Sequence, residues 1–195
     1  MRKRVFDIVM SLVLIILLSP VILLVAVLVG IKMGWPVFFV QERVGKDNQI
    51  FKIYKFRTMS NSVDKKGQPL SDEMRLTKFG QFLRQTSLDE LPELFNILKG
   101  ELSFVGVRPE VPKYVKEYTP EMYATLLLPA GVTSLTSIMY KDESKLLEGA
   151  KNPDEVYIKE ILPEKMKYNL EYIKNFNFWY DIKLMIKTVL AVIKK

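Results

Sequence analysis

Asp89 and Glu90 stand side by side in Ser87-Leu88-Asp89-Glu90-Leu91-Pro92-Glu93-Leu94-Phe95-Asn96-Ile97-Leu98-Lys99-Gly100, a run whose pattern predicts a short helix over Asp89 to Leu98 stopped by Gly100. Two adjacent carboxylates at a helix start can do phosphoryl chemistry. One attacks phosphorus as a nucleophile while the other holds the divalent cation that a pyrophosphate donor brings with it. The helix N-terminus adds partial positive charge that steadies the carboxylates and nearby phosphate oxygens. A structural explanation competes: Ser87 with Glu90 three residues on is a capping box, and acidic residues are favoured in any first turn. Pro92 weakens it, because a start near Asp89 puts the proline inside the first turn, where its missing N–H costs nothing.

The cations that phosphate would need are Lys55, Arg57, Arg84 and Arg108. Lys55 and Arg57 share the parity of the apolar Phe51 and Ile53, which suits either a solvated strand end or a phosphate-binding edge. Arg84 lies one turn upstream of the carboxylates and Arg108 downstream, and arginine is suited to bidentate phosphate contacts. Each alone is more often an ordinary surface cation. The chain of 195 residues has no histidine and no cysteine. Thiolate chemistry, disulfides, a serine–histidine triad and histidine-ligated zinc are therefore excluded, leaving carboxylates as the leading candidates. A net charge of +7 favours a polyanionic neighbour, whether nucleic acid, anionic lipid or a phosphorylated substrate.

The length suits a single catalytic unit, and 49% hydrophobic with 26% charged residues requires a membrane part and a soluble part together. The fold expected is α+β and mainly helical. Residues 1–34 form a re-entrant membrane helix hairpin, and residues 35–195 form a cytoplasmic-face catalytic domain with a small β-hairpin and interfacial amphipathic helices. The first part rests on about 24 uncharged residues from Ile8 to Ile31, long enough to span a bilayer. Basic residues flank both ends, Arg2 to Arg4 and then Lys32, Arg43 and Lys46, which asks for both ends in the cytoplasm. Ser19-Pro20 divides the segment into two pieces of about 11 residues, each roughly 17 Å long and too short to cross alone. A helix-break-helix satisfies the charge and the proline together, with the Ser19 hydroxyl capping freed backbone groups. A kinked spanning anchor is the alternative, and Asp7 argues against a signal peptide.

Val37 to Arg43 and Ile50 to Thr58 read as strands around the turn Gly45-Lys46-Asp47-Asn48. Asn61 to Asp72 reads as a loop, Glu73 to Arg84 as a helix, with further helices at Pro112 to Tyr118, Pro120 to Leu127, Glu155 to Ile161 and Pro163 to Ile173. The last segment, Phe176 to Lys195, sets Phe178, Trp179 and many aliphatic residues beside Lys183 and Lys187, which suits either a bilayer interface or a core-packed helix.

Taken together, Arg4-Val5-Phe6-Asp7, Ser19-Pro20, Phe51 to Met59, Leu76-Thr77-Lys78-Phe79-Gly80, Arg84, Ser87 to Leu94, and Leu98 to Pro109 resemble the monotopic phosphoglycosyl transferases, bacterial sugar transferases that begin glycan assembly. The resemblance covers about the first 110 residues in order and resumes weakly at Phe178 to Ile186. It implies a re-entrant membrane helix and a ping-pong reaction at the bacterial inner membrane. A sugar phosphate passes from a UDP-sugar through a covalent intermediate on Asp89 to a polyprenyl phosphate, with UMP released. By the same resemblance Glu90 holds Mg²⁺, and Lys55, Arg84, Arg108 and Asp181 form the polar site. The lipid bilayer is the remaining partner, nucleic acid is not one, and self-association into a homodimer is left open.

Two segments depart from that family. Gly106-Val107-Arg108-Pro109 keeps the arginine of the usual Gly-Pro-Arg-Pro and loses one proline. Pro129-Ala130-Gly131-Val132-Thr133-Ser134, followed by Met139 to Glu143, replaces a usual Pro-Gly-Ile-Thr-Gly and Gly-Arg, so the sugar cannot be carried over. Rival readings are a transferase using Asp89 as a general base in direct transfer, a membrane-anchored nucleic-acid-binding protein and a catalytically silent scaffold. The aromatic-basic run Phe51 to Arg57 lacks a recognisable RNA-binding motif.

Overall fold

The computed structural model describes residues 2–140, 146–147 and 152–193. The chain opens with α1 (Arg2–Met33), then strands β1 (Phe38–Val44) and β2 (Ile50–Phe56), which pair as a small antiparallel sheet. The expected turn between them is a 3₁₀ turn at Lys46–Asn48, with Asp47 and Asn48 at φ of 54° and 59°, a conformation their short polar side chains tolerate. Next come α2 (Asp72–Arg75) and α3 (Lys78–Gln85), where the sequence suggests one helix. The Thr77 hydroxyl accepts the Gly80 N–H at 2.9 Å and restarts the chain as a separate helix.

One compact unit comprises Ile8–Gln41 and Lys52–Leu98. Its core gathers Val25, Val29, Val37, Phe56 and Leu83, with Ile22, Met33 and Leu91 packed around them. Within this unit α1 is buried at Val25 and Val29 and, nearer its start, at Ser11. Of its most apolar 18-residue window 11% is buried, and Ile16, Leu17, Leu23, Leu24 and Ile31 are more than half exposed. It is the one helix among the described residues long and apolar enough to cross a membrane. At 32 residues it extends about 48 Å.

α1 corrects the expectation of two pieces, because the helix runs unbroken through Pro20. Proline has no N–H to give the carbonyl four residues back, which is that of Ile16. The Ser19 hydroxyl donates to this same carbonyl at 2.8 Å, so the lost backbone bond is replaced and the helix continues. Ser19 does supply the expected cap, at a proline inside a helix rather than at a break.

The other unit comprises Met1–Asp7, Glu42–Phe51 and Lys99–Lys195. Here β3 (Ser103–Val105) and β4 (Gly131–Thr133) form a parallel pair, Ser103 opposite Gly131 and Val105 opposite Thr133, which the sequence reading did not anticipate. The two backbones pass so closely that a Cβ on Gly131 would lie 2.0 Å from the Gly106 nitrogen. Around them stand α5 (Pro112–Val115), a 3₁₀ stretch at Met122–Leu127, α6 (Leu135–Met139), α7 (Pro153–Val156), a π-helical turn at Tyr157–Ile161, α8 (Leu162–Lys174) and α9 (Phe178–Ile193). Of the two readings of α9, packing on the core is observed. Asp181 and Leu184 are buried on one face, while Trp179, Ile186, Val189 and Leu190 are exposed alongside Lys183 and Lys187. Of the divergent segment, residues 141–145 and 148–151 lie outside the described residues.

Candidate active site

The carboxylate pair sits on distorted backbone. Ser87 adopts φ of 56° and makes no side-chain cap, so the capping box does not form. A single 3₁₀ turn at Leu88–Glu90 follows, then Pro92 and the helix α4 (Glu93–Lys99). Pro92 thus precedes α4 rather than lying within a helix begun at Asp89.

Asn96, fully buried on α4, clamps this helix to β2. Its amide donates to the Lys52 carbonyl at 2.7 Å and accepts the Tyr54 N–H at 3.1 Å. The clamp carries Lys55 to the carboxylates: Lys55 Nζ lies 2.6 Å from Glu90 Oε1 and 3.1 Å from Glu93 Oε1. Sequence parity that placed Lys55 on the apolar side of β2 finds its explanation here, since that side meets carboxylates instead of solvent. α3 supplies the second cation. Gly80 lets it approach the strand exit, where a Cβ would stand 1.8 Å from the Thr58 carbonyl oxygen, and Arg84 Nε donates to Thr58 Oγ1 at 3.0 Å.

Asp89 is 8% exposed. Burial, reinforced by the Glu90 charge, pushes its carboxyl up to about 6, with Lys55 and Arg84 pulling the other way. Such a group is ionised near neutral pH yet remains poorly solvated, a combination found at reactive carboxylates. The arrangement provides one desolvated carboxylate, a second beside it and two cations for phosphate charge.

Arg57 has a different placement from Lys55. Only 6% exposed, it donates to the carbonyls of Met33, Gly34 and Trp35, at 2.5 Å to Gly34 and 3.1 Å to Trp35. Its guanidinium closes the C-terminal end of α1, where carbonyls lack helical partners. Arg108 and Asp181 belong to the other unit. Arg108 Nη1 reaches Ser137 Oγ at 3.5 Å, and Asp181, 3% exposed, accepts from Lys3 and from the Tyr172 hydroxyl at 2.8 Å. Glu93 and Asn96 are members of the site's framework that sequence reading missed. Their only signal was helical spacing, which put them on the buried face of α4.

The family model for bacterial sugar transferases matches residues 1–195. The chain belongs to the bacterial sugar transferase family. Among relatives, "Uncharacterized sugar transferase EpsL" of Bacillus subtilis is 36% identical and aligns over 98% of this chain and 87% of its own length. The "UDP-N-acetylgalactosamine-undecaprenyl-phosphate N-acetylgalactosaminephosphotransferase" of Aeromonas hydrophila is 34% identical over 98% of this chain. The "UDP-glucose:undecaprenyl-phosphate glucose-1-phosphate transferase" of Klebsiella pneumoniae is 35% identical over 96%. The chain spans 43% and 39% of the length of these last two.

The donor set of this sugar transferase also bears on metal binding. Among the described residues no three or more acidic, histidine or cysteine side chains converge to hold an ion by themselves. Mg²⁺ is usually held by one or two carboxylates together with substrate phosphates. The adjacent Asp89 and Glu90 fit that second mode.

Proposed function

We propose that this sugar transferase moves a sugar 1-phosphate from a UDP-sugar onto undecaprenyl phosphate and releases UMP, the first membrane step of polysaccharide or glycoconjugate synthesis. The observation that carries the reading is Asp89, buried beside Glu90 and held in the field of Lys55 and Arg84. Names borne by two relatives, each with UDP-sugar and undecaprenyl phosphate, supply the substrate classes.

In this reading an Asp89 oxygen forms a bond to the sugar-bearing phosphorus as the bridging bond to UMP breaks. A phosphate oxygen of the polyprenyl acceptor then attacks that phosphorus, the bond to Asp89 breaks, and the carboxylate is restored. Lys55 and Arg84 offset the charge on the phosphoryl oxygens. Glu90 would hold Mg²⁺, which when bound neutralises diphosphate charge.

α1 is read as the membrane element, with the catalytic part on the cytoplasmic face of the bacterial inner membrane. Basic residues at its flanks, Arg2 to Arg4 and Lys32, support the cytoplasmic side.

A carboxyl group titrating near 6 also suits a general base, so direct transfer between the two substrates is the second reading. One experiment separates them. UMP release from a panel of UDP-sugars is followed with and without undecaprenyl phosphate, for the wild type and Asp89→Asn. The covalent route gives a stoichiometric burst of UMP without acceptor and a phosphosugar-labelled Asp89 peptide. Direct transfer gives UMP only with acceptor, and no label. Release that survives in Asp89→Asn refutes both.

A further inference from the structure

The chain that leaves α1 is apolar and open. Within residues 35–40, Trp35, Pro36, Phe38, Phe39 and Val40 are exposed, and Val37 alone is buried. Trp35, at 82%, is the most exposed large hydrophobic side chain among the described residues, and Ile31 in the last turn of α1 is 75% exposed. Single exposed apolar residues are ordinary, whereas a contiguous run of them marks an interaction surface. A loose backbone does not explain the exposure. Arg57 holds the carbonyls of Met33, Gly34 and Trp35, and Gly34 makes the turn with φ of 71°, so the indole stands out from a fixed chain.

The order of residues in β1 points the same way. A strand with one face on a core alternates apolar and polar residues, because neighbours point to opposite faces. In Phe38-Phe39-Val40-Gln41-Glu42-Arg43-Val44 the change runs along the strand instead, three apolar residues and then three polar ones. Phe38 and Phe39 project to opposite faces, yet each stays close to half exposed, although Phe38 stacks on Phe56 at 5.5 Å. Polarity that changes along a strand, and not across it, suits a chain passing out of an apolar layer into water. α1 brings exposed apolar surface to the start of this run, and Lys32, exposed in its last turn, places a cation three residues before Trp35. The hydrocarbon interior is excluded for the strand itself. β1 and β2 form a two-stranded sheet, which leaves β1 an edge without a strand partner, and each unsatisfied backbone group there would cost several kcal/mol. The headgroup layer supplies water to that edge and is the depth that tryptophan favours.

We propose that Trp35 to Val40 form a second membrane contact, seated in the headgroup layer of the bilayer, which holds the exit of α1 at the interface; the inference rests on the reading of α1 as the membrane element. The partner is lipid: the indole and phenyl rings sit at the boundary between headgroups and acyl chains, and Lys32 supplies a cation for lipid phosphate.

The test is depth-resolved fluorescence quenching on the full chain carrying Trp179→Phe, which leaves Trp35 as its single tryptophan. The protein is reconstituted in vesicles of phosphatidylcholine and phosphatidylglycerol whose acyl chains are brominated either close to the headgroup or close to their ends. Trp35 emission is expected to fall at least about twofold with the shallow bromines, to fall less with the deep ones, and to resist aqueous iodide. Quenching by iodide and by neither lipid overturns the proposal. Shielding from iodide and from both lipids also overturns it, because a second copy or another protein segment would then cover the run. Stronger quenching by the deep bromines refutes the headgroup placement. A parallel variant, Trp35→Phe/Trp179→Phe/Ile16→Trp, puts the single tryptophan on the exposed surface of α1, where Ile16 is 67% exposed. Lipid quenching there without lipid quenching of Trp35 overturns this inference alone. No lipid quenching at either position overturns the membrane reading of α1 and this inference with it. If Trp179→Phe does not fold, Phe39→Cys in the otherwise unchanged, cysteine-free chain carries one thiol-linked fluorophore, read with the same quenchers and judged by the same outcomes.

Discussion

Asp89→Asn is expected to make the protein inactive and more stable at once. Asparagine keeps the size of aspartate but cannot ionise. The folded protein raises the Asp89 carboxyl from an ordinary 3.8 to about 6, so ionising it costs the folded state about 3 kcal/mol more than the unfolded chain. Because the folded value is the higher one, the penalty is absent below about pH 4. It grows as pH rises through the interval and is complete above about pH 6. The stability gain of Asp89→Asn should therefore be near zero at the acid end and about 3 kcal/mol at pH 8, or about 6–12 °C in unfolding midpoint for a chain of this size. Trp35 and Trp179 provide intrinsic fluorescence for thermal unfolding in detergent micelles at several pH values. A midpoint for Asp89→Asn equal to or below that of the wild type at pH 8 would refute the argument. So would a gain of the same size at pH 5, since it could not come from ionisation.

Three further outcomes follow from the same geometry. Lys55→Met removes a charge that holds the Asp89 carboxyl down, so the acid limb of UMP release should move above its expected position near pH 6 and turnover should fall by about 100-fold; an unmoved limb in a pH–rate profile excludes this role. Arg57→Ala should lower stability by about 3 kcal/mol in chemical unfolding, because three carbonyls at the end of α1 lose a charged donor, with donor KM unchanged. A tenfold KM increase without destabilisation would instead restore the phosphate-binding role expected from its parity. Gly80→Ala should cost about 1–3 kcal/mol and much of the activity, since its methyl group would displace Thr58 and with it Arg84; wild-type unfolding and turnover would show that this approach is not needed.

What was legible in the sequence was local. The hairpin followed from alternating β-branched and aromatic residues around Gly45 to Asn48. α1 followed from its uncharged length, and the carboxylate pair from adjacency. Glu73 to Arg84 divided into two helices because Thr77 caps more strongly than apolar spacing suggests. The β3–β4 pair was hidden because each strand has three residues and its partner lies 28 positions away, beyond any local period. Arg57 misled for a related reason. Its strand parity reports which side it faces, whereas its role depends on carbonyls at residues 33–35, a match made only by the fold.

The capping box fails at the residues to which the proposed reaction assigns the chemistry. A helix capped by Ser87 would have given Asp89 and Glu90 good solvation and backbone hydrogen bonds, holding their affinities for protons low and their reactivity down. Ser87 instead takes a left-handed conformation, which costs a non-glycine residue on the order of 1–3 kcal/mol, and the chain enters a single 3₁₀ turn in which Asp89 is buried. Two separate penalties thus coincide within three residues, one of backbone and one of charge. Neighbouring elements offset them: Leu83 and Ile97 are almost completely enclosed, and Asn96 ties α4 to β2 through two hydrogen bonds. Local rules predict a better helix start than the one present, and they fail at the residues for which we propose attack on phosphorus, where a stable, well-solvated carboxylate would be least useful.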